Sequence, residues 1–174
     1  MKKLILLFSL VALLFANNAQ KYLNKGINAY KNEKFLDARK YLIKACELGN
    51  GSGCAIVARL YEDGKGEIPR NSSKAFIYRT KACKLNFADA CFNIGLAYDK
   101  GEVVKKDTKK SFQYYLKACK LNIGEGCYNV GVAYLTGRGI SRNYSKAKEY
   151  DLKACKLKDK LACKAYNWLE KHGY

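Results

Sequence analysis

Eight cysteines are the residues of this chain best equipped for chemistry, and their spacing is regular. Cys46 and Cys54 stand eight residues apart, as do Cys83 and Cys91, Cys119 and Cys127, and Cys155 and Cys163. The first members of successive pairs are separated by 37, 36 and 36 residues. Thiols can ligate a metal, attack a substrate or join as disulfides. Zinc sites draw on closely spaced Cys and His ligands, whereas this chain has one histidine, His172, near its C-terminal end. A thiolate nucleophile needs an unpaired cysteine beside a base, and pairing at the eight-residue offset uses all eight. The offset therefore favours four local disulfides, out of roughly a hundred connectivities open to eight cysteines. Free buried thiols behaving as small apolar side chains are the other reading. No metal site and no cofactor are expected.

A fixed period near 36 residues marks a repeat array, in which each unit is a supersecondary element stacked on its neighbours. The segments before each first cysteine read DARKYLIKAC, KAFIYRTKAC, KSFQYYLKAC and KAKEYDLKAC. In the third of these, Ser111, Tyr114, Ala118 and Leu121 recur at helical spacing, and the other segments repeat the stripe. Asn71, Asp107 and Asn143 precede three of the segments at 36-residue intervals. Their side-chain oxygens suit the free N–H groups of a first helical turn.

After each second cysteine comes another helical pattern: Cys54, Val57, Ala58, Tyr61; Cys91, Ile94, Gly95, Tyr98; Cys127, Val130, Gly131, Tyr134. A Gly or Ala recurring in mid-helix costs up to about 1 kcal/mol in propensity, so its recurrence predicts close approach of a neighbouring helix. Gly64, Gly101 and Gly137 follow as helix-ending glycines. Each unit is thus a pair of antiparallel helices, with a short turn between the cysteines that the disulfide would staple.

The chain opens MKKLILLFSLVALLFANN. Two lysines and a twelve-residue apolar run, Leu4 to Phe15, predict a secretory signal over residues 1–16. That run is short for a membrane span, so the mature chain is expected not to span a membrane. Export to the periplasm or the exterior would place the cysteines where disulfides persist.

The formal charge of the whole chain is +18, from 33 basic and 15 acidic residues. A surface this basic attracts anionic partners or simply keeps an exported protein soluble. Lysine outnumbers arginine 27 to 6. Nucleic-acid readers lean on arginine, so no nucleic-acid partner is expected.

The run of Ile/Val-Gly, Tyr, Gly-x-Gly, then Lys-Ala, Tyr and Lys-Ala-Cys resembles the Sel-one-like repeat, a relative of the tetratricopeptide repeat. Cysteine at both positions of every unit resembles more narrowly the Helicobacter cysteine-rich protein family. The resemblance implies an all-α fold, a right-handed α-solenoid of disulfide-stapled antiparallel helix pairs. Residues 20–49 would form a short first repeat, and residues 52–86, 88–122 and 124–158 full repeats. Residues 160–174 would form a terminal cap helix, because Tyr166, Asn167 and Glu170 stand where Ile or Val, Gly and Tyr recur.

That family is described as penicillin-binding proteins with weak β-lactamase activity, so the resemblance implies a hydrolase acting on the β-lactam amide. A serine β-lactamase needs S-x-x-K with S-D-N and K-T-G partners. One S-x-x-K occurs, Ser145 to Lys148, and neither partner motif does. With 7 serines and 27 lysines in 174 residues, about one such match arises by chance. Ser145 also sits where a helix should begin, so the catalytic residues stay unassigned. A recognition role needs no such constellation. Stacked helix pairs present an extended groove, and Asn93 and Asn129 hold equivalent places on the helices that would line it. The residues thus point to a monomeric scaffold for an extracellular protein, a peptide or a peptidoglycan-like or β-lactam-like ligand, with anionic surfaces as further partners.

Overall fold

The cysteine-flanked segments and the turns between them alternate along the chain as nine helices among the described residues of this computed structural model. The backbone is described for residues 2–174 and the side chains for residues 16–174. The signal segment expected over residues 1–16 therefore falls almost wholly outside the described side chains. The helices are α1 (Lys2–Lys31), α2 (Phe35–Glu47), α3 (Gly51–Asp63), α4 (Ser72–Lys84), α5 (Ala88–Lys100), α6 (Thr108–Lys120), α7 (Gly124–Thr136), α8 (Tyr144–Lys156) and α9 (Lys160–Lys171). No helix of the described residues is long and apolar enough to cross a membrane.

Helix starts follow the capping residues. Asn71, Asp107 and Asn143 each accept a hydrogen bond from the backbone N–H three residues on, at 2.8, 2.9 and 2.9 Å. Each also donates its own N–H to the carbonyl of a tyrosine one loop earlier: Tyr61, Tyr98 and Tyr134, at 2.7, 2.9 and 2.9 Å. One residue thus closes the loop and starts the next helix, which satisfies donors that would otherwise be orphaned. Lys34 fills this place before α2 and makes no side-chain cap. Gly64, Gly101 and Gly137 end their helices at positive φ, which costs glycine nothing.

The turn from the second helix of one repeat to the first of the next is tighter than the sequence suggested. After Cys46 the helix runs one residue further, and α3 resumes at Gly51, three residues before Cys54. The second cysteine therefore sits one turn inside its helix. The residue three places after each first cysteine takes the left-handed conformation: Gly49, Asn86, Asn122 and Lys158.

The fully buried stripe on the second helices also lies one position round from the expected one. Ala38, Leu42 and Ala45 are buried on α2, Ser111, Tyr115 and Ala118 on α6, and Ala147, Asp151 and Ala154 on α8. The recurrent tyrosines Tyr41, Tyr78, Tyr114 and Tyr150 flank it, partly exposed.

The chain divides into two compact units, one ending at Phe87 and one beginning at Ala88. In the first, Leu23, Leu42, Val57, Leu60, Tyr61 and Ile68 belong to a common core. In the second, Phe112, Tyr115, Val130, Tyr134 and Leu169 belong to another. Within each unit, helices pack on their neighbours in chain order.

Candidate functional site

Asn93 of α5 and Asn129 of α7 occupy the same register of their helices. Each amide nitrogen donates to the carbonyl one turn back, Asn93 to Asp89 at 2.8 Å and Asn129 to Glu125 at 2.7 Å. These bonds fix the side chains and leave the amide oxygens as the remaining acceptors. In the second unit Asn129 lines a cavity of about 20 Å³ with Thr108, Ser111, Tyr115, Asp99 and Arg138. Asp99 and Arg138 form an ion pair there at 2.7 Å. The buried Tyr115 hydroxyl finds no well-aligned partner. Burial, helped by the nearby Asp99 charge, pushes its pKa up to about 12.

The mid-helix glycines mark where a neighbouring helix comes closest. A Cβ on Gly95 would come within 2.6 Å of the Tyr115 ring, and one on Gly26 within 2.6 Å of Leu42. Gly131 faces Asp151 in the same way, with the carboxyl carbon 2.9 Å from where a Cβ would stand. Three of the four repeats thus use one contact, a glycine against the residue four places before the first cysteine, while the second repeat carries Ala58 instead. The partner changes from Leu42 to Tyr115 to Asp151. Asp151 is 1% exposed, and its Oδ1 has no partner. Burial, with a smaller contribution from Asp159, raises its pKa to about 7. The sequence hinted at this residue: it lies four positions after Ala147 and three before Ala154, on the buried stripe.

The recurrent tyrosines form stacked pairs. Tyr61 and Tyr78, Tyr98 and Tyr114, and Tyr134 and Tyr150 have ring centroids 5.9, 5.7 and 5.8 Å apart. A lysine lies over the first ring of each pair: Lys74, Lys110 and Lys146, at 5.2, 5.2 and 5.3 Å. Desolvation raises the pKa of Tyr78, Tyr114 and Tyr150. These rings seal the seam between paired helices rather than standing open as a ligand platform.

The cysteines come together at the helix junctions. Cys46–Cys54, Cys119–Cys127 and Cys155–Cys163 are bonded, with Cα atoms 4.7, 4.5 and 4.5 Å apart. Cys83 and Cys91 are also disulfide-bonded, and no described cysteine is free. Oxidised sulfur neither binds zinc nor attacks a carbonyl.

Ser145 is exposed in the first turn of α8. The lysine of its S-x-x-K match, Lys148, reaches the other way, to Glu170 Oε1 at 2.8 Å and the Tyr174 carbonyl at 2.6 Å. His172 stacks on Trp168, with centroids 4.3 Å apart, and its Nδ1 lies 2.7 Å from the Trp168 carbonyl. Among the described residues no three His, Cys, Asp or Glu side chains gather as metal ligands.

Helix pairs repeated at a fixed interval, each stapled where one repeat meets the next, define an α-solenoid repeat protein. The chain belongs to the Sel1 repeat family, whose pattern matches residues 19–50, 51–87, 88–123 and 124–159. It is similar to a Sel1 repeat protein from Oxalobacter formigenes, with a TM-score of 0.78 and 27% identity, covering 87% of this chain and 62% of that one. It is also similar to Helicobacter pylori cysteine rich protein B, with a TM-score of 0.59 and 38% identity over 78% of this chain and 95% of that one. Among curated proteins it is 39% identical over 49 residues to Beta-lactamase HcpA of Helicobacter pylori, which is 28% of this chain and 20% of HcpA. The matched part spans between 17% and 31% of the curated relatives' own lengths.

Proposed function

We propose that this Sel1 repeat chain is a recognition scaffold of an oxidising compartment, periplasmic or extracellular. Its ligand is an extended peptide or peptide-bearing wall fragment, held on the first helices of the repeats. The observation that carries the reading is the matched orientation of Asn93 and Asn129. Each is anchored through its amide nitrogen, so that an oxygen is presented at the same place in successive repeats. Equivalent acceptors at the repeat interval suit the regularly spaced N–H donors of an extended backbone. The disulfides support the compartment, since they persist where the medium is oxidising.

The name carried by HcpA supports a second reading, hydrolysis of a β-lactam amide. Its weakness lies in the residues: Ser145 has no base beside it, and Lys148 is occupied by Glu170 and the Tyr174 carbonyl.

Titration calorimetry with peptidoglycan stem peptides, on oxidised protein and on an Asn93→Ala, Asn129→Ala double variant, tests the first reading. Binding that the double variant loses, at unchanged melting temperature, is the expected result. Turnover of a chromogenic cephalosporin that survives the asparagine changes and disappears in Ser145→Ala would replace the scaffold reading with the enzymatic one.

A further inference from the structure

We propose that the second helices of the second unit, α6 and α8, form a docking surface for an acidic polysaccharide, separate from the asparagine-bearing helices. Charge segregates between the two kinds of helix. On α6 and α8 there are eight lysines against Glu149 and the buried Asp151. On α5 and α7 there is one lysine, Lys100, against Asp89, Asp99 and Glu125.

The lysines also keep a register. Lys110, Lys117 and Lys120 on α6 lie nine and two residues before and one residue after Cys119, and Lys146, Lys153 and Lys156 on α8 stand likewise to Cys155. Intervals of seven and three residues put each set on one stripe of its helix. Four of the six, Lys110, Lys120, Lys146 and Lys156, are exposed. The ammonium groups of Lys110 and Lys146 lie over the Tyr98 and Tyr134 rings, which pre-orders them, and Lys110 also pairs with Asp107 at 3.5 Å. The register is a property of the repeat, because Lys74, Lys81 and Lys84 hold the same places around Cys83.

The chemistry of the stripe selects among anionic partners. Lysine is a compact, strongly hydrated charge without the planar fork that reads phosphates and bases bidentately. Among the described residues, no large apolar side chain of α6 or α8 is exposed. A protein partner would need apolar or aromatic anchors at the centre of its footprint, and a membrane would need a face that inserts. Ammonium groups repeated at the same places on α6 and α8, with only the half-buried, stacked rings of Tyr114 and Tyr150 between them, match a hydrophilic polymer carrying evenly spaced carboxylates.

The test uses immobilised polygalacturonate as probe and compares two triple variants that remove the same charge. One replaces Lys120, Lys153 and Lys156 with Gln. The other replaces Lys105, Lys106 and Lys171, which are exposed but lie off both helices. Both are checked for unchanged melting of the oxidised protein. The expected result is salt-sensitive binding that the stripe variant weakens by about tenfold or more, with a shallower salt dependence, while the other variant changes it little. Equal weakening by both triples, no binding at low salt, or tighter binding to poly-glutamate, single-stranded DNA or phosphatidylglycerol vesicles would each overturn the proposal.

Discussion

Gly131 of α7 and Asp151 of α8 are packed face to face, the carboxyl group filling the space that any side chain at 131 would need. The carboxyl is buried and its Oδ1 is unpartnered, so ionisation there is opposed by desolvation.

That contact makes stability depend on pH. The folded-state pKa of about 7 lies above the ordinary 3.8. Between those values the folded chain holds a proton that the unfolded chain has released. The stabilisation is full below the ordinary pKa and is lost as pH rises through about 7. Asp151→Asn should remove this dependence and raise stability at pH 8 by roughly 1–3 kcal/mol. Urea denaturation at pH 5 and pH 8 reads it; identical pH profiles for the two proteins would refute it.

Gly95 tolerates a methyl group poorly. Alanine ordinarily stabilises a helix interior by about 1 kcal/mol over glycine. Here its Cβ would enter the buried ring of Tyr115, which is 4% exposed. Gly95→Ala should destabilise by roughly 1–3 kcal/mol, because an overpacked ring has nowhere to move. Pairing it with Tyr115→Leu should recover part of the loss. A stabilised single variant would contradict the close packing.

Each disulfide closes a loop of eight residues' separation. Loop entropy of that size corresponds to about 2–3 kcal/mol per bond. Replacing Cys119 and Cys127 together with alanine should cost that much in chemical denaturation, and full reduction should lower the melting temperature far more. Equal melting of oxidised and reduced protein would mean that the staples contribute nothing.

Lys158 adopts a left-handed conformation, with φ 70°, at the turn position held elsewhere by Gly49, Asn86 and Asn122. Its Cβ crowds the following carbonyl, and asparagine or glycine relieves that cost. Lys158→Asn or Lys158→Gly should stabilise by about 1 kcal/mol, seen as a higher midpoint with an unchanged m-value.

Much of this architecture was legible in the residues. The cysteine period, the caps at Asn71, Asp107 and Asn143, and the glycines that end helices all express local backbone chemistry. Such signals survive in a sequence because the groups that satisfy them lie within a few residues. The small residue in mid-helix, too, correctly announced a close neighbour. The buried stripe was displaced by one position, since tyrosine looks like a core residue although its ring suits the edge of a seam.

Sequence alone therefore determined the repeat, its length, the caps and glycines that bound its helices away from the cysteine turns, and the family to which the chain belongs. Only the tertiary structure decided what meets what. That Gly95 faces Tyr115 and Gly131 faces Asp151, that Lys148 turns to Glu170, and that Asp99 reaches Arg138 all depend on contacts between helices. Burial of a side chain is a property of its neighbours. An aspartate on a lysine-rich helix carries no mark of desolvation until a second helix closes over it.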